Sequence, residues 1–318
     1  MNQLMNKLKF FLKWLIVFFI FVFIIKTIAE GYNDIRDYSF TFNLYFLILA
    51  FIFFVLSYTV TTYAWLYLLE KQGYKNIPFI AAFRIWFYSF MARYIPGKVA
   101  IIAARAQLCK KYNIPVLVVS NVAILEVFLI LSTAIFFILP IQVLRGTTII
   151  GSALIFLVLG TLAIFLLQNK KFVGTMARYL PPFRKITPLS ISLGVIVKVV
   201  LIYAFYWIMS GVAVVAFLSS FTTVEPGDVL TIISSYALAY VGGILAVFAP
   251  SGLGVREVAF AALLQAIYPK ELAFVIAVAV RLWATVSEVI LWAILFIPSK
   301  LTHSRAGTEE KRGYFNNG

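Results

Sequence analysis

The sequence predicts an all-α polytopic membrane protein, and three observations carry that prediction. The first is composition: 63% of the 318 residues are hydrophobic, only 12% are charged, and the mean hydropathy is +0.99. A soluble chain cannot bury so large an apolar fraction. The second is run length. Apolar stretches reach about 20 residues without strict alternation, which fits spanning helices and not barrel strands. The third is interruption: two apolar regions are broken by proline and glycine. The net charge of +15 therefore reports cytoplasmic loops and anionic headgroups, not nucleic acid.

The elements follow in order. Lys7, Lys9 and Lys13 flank the first apolar run. The run is long and lacks a small-residue cleavage site, so it reads as an uncleaved span. Six full crossings are expected near 10–29, 44–69, 114–139, 147–167, 189–219 and 272–298. The broken regions, 79–108 and 229–268, contain "YIPGK" and "FAPSGLGVRE" and bring the hydrophobic segments to eight. Loop charge places the N-terminus inside. "EGYNDIRDYSF" and "SSFTTVEPGD" are acidic and suit the outside. Lys71, Lys75, Lys110, Lys111, the five cations of "NKKFVGTMARYLPPFRK" and those of the tail suit the inside. The pattern closes only if each broken region begins and ends on one side. Residues 97–108 would make a helix of about 18 Å against a hydrocarbon core of about 30 Å. Re-entrant hairpins are therefore expected. Residues 1–299 form one transmembrane domain, N-in and C-in, with 300–318 as a cytoplasmic tail. Units 44–139 and 189–298 have opposite topology and matched breaks, as in inverted-repeat transporters.

The charges inside this apolar chain are the candidate functional residues, because intramembrane charge is costly, about 2.5–3.5 kcal/mol at the centre of a span on insertion scales. After Pro96 and Gly97 a helix can restart with a free, positive N-terminal end beside Lys98. Arg105 shares a face with Lys98, and Arg93 approaches the break from the other arm. Arg105 has a second reading, as a topogenic charge that snorkels to headgroups. In the second break, Pro250 precedes Gly252 and Gly254, which permit positive φ. A helix should restart near Val255 with Arg256 and Glu257 in its first turn. Glu257 is either a helix-start residue favoured by the dipole or a functional carboxylate. Glu126, Arg281 and Glu288 lie near the middle of spans and should pair with one another or line a wet cavity. Lys198 reads as a snorkelling lysine, and most of the abundant aromatics as lipid-facing bulk and interface belts, with no site assigned to them. One cysteine, Cys109, excludes an intrachain disulfide. His303 is the only histidine, no metal-ligand spacing occurs, and neither metal nor cofactor is expected.

"RYIPGKVAIIAAR" together with "APSGLGVREVAFAALL" resembles the lysylphosphatidylglycerol synthase transmembrane, or flippase-like, family over roughly residues 10–300. The resemblance carries the family's motif positions to Pro96, Gly97, Lys98, Arg105, Pro250, Gly252, Gly254 and Glu257, and a family glutamate to Glu126. Where the family often continues with arginine and then aspartate, this chain has Val127 and Ile130. The resemblance implies a lipid translocator in a prokaryotic cytoplasmic membrane. It would bind a phosphate-bearing headgroup, of aminoacyl-phosphatidylglycerol or a polyprenyl-phosphate-linked lipid, and could work beside a separate synthase or glycosyltransferase. The soluble aminoacyltransferase domain of larger relatives is not expected in the short tail, so the chain is not expected to be an enzyme. The alternative is an integral membrane enzyme or an accessory subunit of a lipid or glycan transferase.

Overall fold

The computed structural model describes residues 42–94, 99–144, 192–246 and 249–315, together with Val22 and Lys26. The expected spans at 10–29 and 147–167, and Pro96, Gly97 and Lys98, lie outside the described residues. Among the described residues every regular element is helical. The α-helices are α1 (Leu44–Lys71), α2 (Phe79–Met91), α3 (Val99–Cys109), α4 (Val116–Leu144), α5 (Leu193–Ser219), α6 (Val229–Leu245), α7 (Val255–Leu264) and α8 (Lys270–Phe315).

Proline and asparagine punctuate these helices. Helices α2, α4 and α8 start directly after Pro78, Pro115 and Pro269, where a missing N–H costs nothing. Asn43 caps α1 by accepting from the Tyr45 N–H at 3.0 Å. Asn113 takes the left-handed conformation, φ 54°, in the turn that leads into α4.

Five helices among the described residues are long and apolar enough to cross a membrane: Leu44–Lys71, Val116–Ile138, Leu193–Ser219, Pro226–Leu245 and Lys270–Leu295. Four of them are expected full spans. The fifth is the first arm of the second broken region, so that hairpin has one long arm and one short one. The first hairpin is short on both sides, with 13 residues in α2 and 11 in α3. Helix α8 also continues through Phe315, so its backbone stays helical beyond the expected end near 298.

Helices α1 and α5 form the most extensive pairing. They run antiparallel: the Asn43 N–H donates to the Ser220 carbonyl at 2.7 Å, and the Lys198 ammonium sits 4.3 Å from the centre of the Tyr67 ring at the other end. Around this pair the two halves repeat one plan. Helix α2 packs on α1 and α3, and α3 on α4. Likewise α6 packs on α5 and α7, and α7 on α8. Two buried clusters form: one, around Trp65, Phe87, Tyr203 and Trp207, joins the first half to α5, and the other, around Phe217, Ile232, Phe260 and Leu272, lies mostly within the second half.

The contact between α5 and α6 depends on Gly211. A Cβ there would lie 2.8 Å from Ile233 Cγ2. It would also lie 2.9 Å from Ile233 Cγ1 and 3.3 Å from its Cβ, and a β-branched side chain is too stiff at χ1 to turn all of these aside. Gly211→Ala is expected to cost about 1–3 kcal/mol, read as a lower thermal midpoint in detergent, and Gly211→Leu more.

Candidate functional site

The two breaks meet. The 3₁₀ turn Ala92–Tyr94, which ends the first arm of hairpin one, touches the 3₁₀ turn Pro250–Gly252 of hairpin two. Local conformation makes the second tip. Ser251, Gly252 and Gly254 all have positive φ, at 55°, 69° and 82°. Gly252 also lies against the backbone of α6: a Cβ on it would be 2.7 Å from Gly243 Cα. Helix α7 restarts at Val255, and the Gly254 N–H donates to Glu257 Oε2 at 2.6 Å. Its N-terminus is thus capped by its own carboxylate.

Among the described residues two buried ion pairs hold the tips, and a third lies one layer away. Arg93 in the first tip pairs with Glu288 of α8, and that carboxylate also accepts from Tyr58 Oη at 2.6 Å and Tyr94 Oη at 2.8 Å. Arg105 of α3 pairs with Glu126 of α4. Arg105 Nε donates to Ser89 Oγ at 3.0 Å, while Glu126 accepts from Trp86 Nε1 at 3.2 Å and Tyr203 Oη at 3.3 Å. Arg281 of α8 pairs with Glu257 of α7, Nε to Oε1 at 3.2 Å, and donates through Nη2 to Ser251 Oγ at 2.8 Å. The Arg281–Glu257 contact is close but poorly directed, so neither Arg281 Nε nor Glu257 Oε1 makes a true hydrogen bond. It holds the tip by charge.

The pairs repeat in register. The second arm of each hairpin carries one partner and the following helix the other, with the polarity reversed: Arg105 to Glu126, and Glu257 to Arg281. Seven residues further along α4 and α8 come Thr133 and Glu288. Thr133 accepts from Trp207 Nε1 at 3.2 Å, and Glu288 from Tyr58. Tyr58 lies 14 residues after Leu44 in α1 (58 − 44), and Trp207 lies 14 after Leu193 in α5 (207 − 193).

A fourth arginine is set apart from these pairs. Among the described residues no carboxylate pairs with Arg256. Its guanidinium instead lies 4.7 Å from the Tyr236 ring centre and 4.4 Å from that of Tyr240. Two small cavities, each about 10 Å³ and so sized for roughly one water molecule, adjoin it. One of them is lined by Arg93, Arg256, Arg281 and Glu288 together. Arg93 Nε, like Arg281 Nε, is buried without a hydrogen-bond partner.

The structure thus brings Arg93, Gly252, Gly254, Arg256, Glu257, Arg281 and Glu288 to one place and sets Arg105 with Glu126 one layer away. Among the described residues the span carboxylates and Arg281 do not pair among themselves; each ion-pair partner comes from a hairpin. Arg105 is 3% exposed and enclosed by Trp65 and Trp86, so it does not snorkel. Lys198 is exposed. The aromatics, given no site from the sequence, do contribute to one: Tyr58, Trp86, Tyr94 and Tyr203 donate to Glu126 and Glu288 beside the arginines. The i, i+4 spacing of Trp86 with Phe90 and of Tyr236 with Tyr240 was the available signal, since it gives each hairpin one aromatic face. Ser251, which no motif marks, was missed because its role depends on a left-handed turn.

A multi-spanning helical domain with broken hairpins and, among the described residues, buried ion pairs between hairpin and span is the class that fold and site define. The chain belongs to the family described as lysylphosphatidylglycerol synthase TM region, matched over residues 10–291. No individual curated protein matches it. Among the described residues no group of His, Cys, Asp and Glu could hold a metal ion.

Proposed function

We propose that this chain is a flippase-like lipid translocator that binds a phosphate-bearing headgroup between its two hairpin tips. Aminoacyl-phosphatidylglycerol and polyprenyl-phosphate-linked lipids are the candidate ligands. The single observation that carries this is the convergence of Arg93, Arg256 and Arg281 on one cavity at the tips, with two buried guanidinium N–H groups left unbonded. Buried donors of this kind are costly unless an acceptor completes them, and phosphate oxygens suit arginine geometry. A cavity of about 10 Å³ is far too small for a headgroup, so the arrangement described is an occluded one. Admitting lipid requires the tips to part.

Topology supports the same reading. Equivalent helices α1 and α5 run antiparallel, and both halves share one packing order. That supports an inverted repeat, and in this reading the hairpins enter from opposite faces and the loop charges put both termini in the cytoplasm. Helices α3 and α7, 11 and 10 residues long, reach only about half the hydrocarbon thickness.

Proteoliposomes carrying the full chain and fluorescent phosphatidylglycerol, or a fluorescent polyprenyl phosphate, provide the test. Transfer between leaflets should exceed that of protein-free vesicles for at least one of these lipids. Arg93→Gln combined with Glu288→Gln removes a charge pair without leaving a lone buried charge. It should slow transfer by about 10- to 100-fold, the worth of one charge-assisted hydrogen bond. No transfer of either lipid, and none co-purifying, would reject the proposal.

A further inference from the structure

One arginine of the first hairpin belongs neither to the tips nor to the ion pairs. Arg84 lies five residues into α2 (84 − 79), roughly 7 Å along the axis. With Lys71 and Lys75 inside, the first hairpin enters from the cytoplasmic side, which sets Arg84 just below that surface. Arg93 is nine residues further on (93 − 84), about 13 Å deeper. Ala81, Arg84, Tyr88 and Met91 are half-buried at helical spacing and form the least covered flank of α2 among the described residues. Arg105 Nε donates to Ser89 Oγ at 3.0 Å, which fixes the register of the two antiparallel arms. Five residues outward on each arm (89 − 84 and 110 − 105) bring Arg84 level with Lys110. Lys110 and Lys111 are exposed. Among the described residues no carboxylate pairs with any of these three cations, and residues 1–29, 95–98 and 145–191 contain no Asp or Glu. Arg84 Nε is buried without a hydrogen-bond partner.

We propose that Arg84 and Lys110 form a docking site for an anionic phospholipid of the cytoplasmic leaflet, at the mouth of the first hairpin and separate from the tips. An arginine at this depth is costly without an anion, and a half-buried donor with no protein acceptor calls for one from outside. Side chains of a helix lean toward its N-terminus, so Arg84 reaches back to headgroup level. There its planar fork suits a phosphate. Lys110 adds a second positive charge at the same depth, and such a cationic mouth draws anionic lipid to itself. Tyr88, one turn deeper on the same flank, has the amphipathic character of interfacial aromatics, and Ala81 and Met91 offer apolar surface to an acyl chain. The site does not depend on what passes between the tips: a lipid held here stays on the outer flank of the hairpin.

Photo-crosslinking of the full-length protein in phosphatidylcholine vesicles tests this. The probe is a trace of phosphatidylglycerol with a photoreactive group near its headgroup, and peptide mass spectrometry locates the adduct. Adducts are expected within 81–91 and 110–112. Arg84→Gln should lower their yield about tenfold, the worth of one charge-assisted hydrogen bond. Lys110→Gln should lower it about fivefold, the worth of one lysine near an anionic surface. Arg84→Lys should keep part of the yield, which separates loss of charge from loss of fold. The paired tip variant Arg93→Gln with Glu288→Gln should leave the yield unchanged, so this site and the tip site fail independently. An unchanged yield in Arg84→Gln would overturn the proposal. Equal labelling by a phosphatidylcholine probe would show contact with the bilayer at large and overturn it too. Suppression by excess inorganic phosphate at constant ionic strength would assign the site to a free anion instead of a lipid. A tip variant that loses the adducts as Arg84→Gln does would show that the label reports the tips and that no separate site exists.

Discussion

Arg105→Ala is expected to destabilise the protein by about 3–5 kcal/mol, the cost of leaving one partner of a buried pair alone. Arg105 and Glu126 are 3% and 8% exposed. Without the guanidinium, Glu126 keeps only Trp86 Nε1 and Tyr203 Oη as donors. Two neutral hydrogen bonds do not offset a desolvated carboxylate. Ser89 Oγ also loses the Arg105 Nε–H, and the space between Trp65 and Trp86 empties. A denaturant titration in detergent micelles measures the loss. The double variant Arg105→Met with Glu126→Gln removes both charges, fills the space and preserves an acceptor for the two donors. It should recover most of the stability. A single-variant cost below about 1 kcal/mol would show that water reaches Glu126 and that the pair does not hold α3 to α4.

Gly252→Ala is expected to be comparably damaging by a different route. At φ 69° an alanine incurs roughly 1–2 kcal/mol of left-handed strain. Its Cβ would also stand 2.7 Å from Gly243 Cα and 2.8 Å from the Gly243 carbonyl oxygen. Backbone atoms of a packed helix cannot turn aside as a side chain can, so the tip itself must shift, adding about 1–3 kcal/mol. The shift would draw Ser251 away from Arg281 and loosen the contact with the first tip. Protease sensitivity at 246–254, together with lipid transfer, reports it. Protection and transfer at wild-type level would show that the tip tolerates displacement and that its close approach to α6 is incidental.

The candidate site was legible in part. The Pro/Gly interruptions marked both hairpins, and the restart of α7 at Val255 followed from the glycines and the first-turn glutamate. That charges at span depth must be neutralised was also legible, since isolated ones are too costly. Their partners were not. Arg281 and Glu288 share a face of α8, but seven residues of helix separate them by about 10 Å along the axis, so each turns to a hairpin instead. The aromatic donors stayed hidden for a related reason. A tyrosine facing lipid and one facing a buried carboxylate have the same local sequence, and only the neighbouring helix distinguishes them.

The sequence by itself determined the membrane class, the helical architecture, the places where helices break and the need for paired interior charge. Each of these follows from composition and local backbone preference within a few turns of helix. Only the tertiary structure decided that the two tips touch, that Arg93 binds Glu288 from 195 residues away, and that among the described residues Arg256 alone of the tip arginines lacks a carboxylate. These are long-range matters. Burial and pairing depend on which helix faces reach the same point in space, and α1 and α5, packed antiparallel, bring the two halves there.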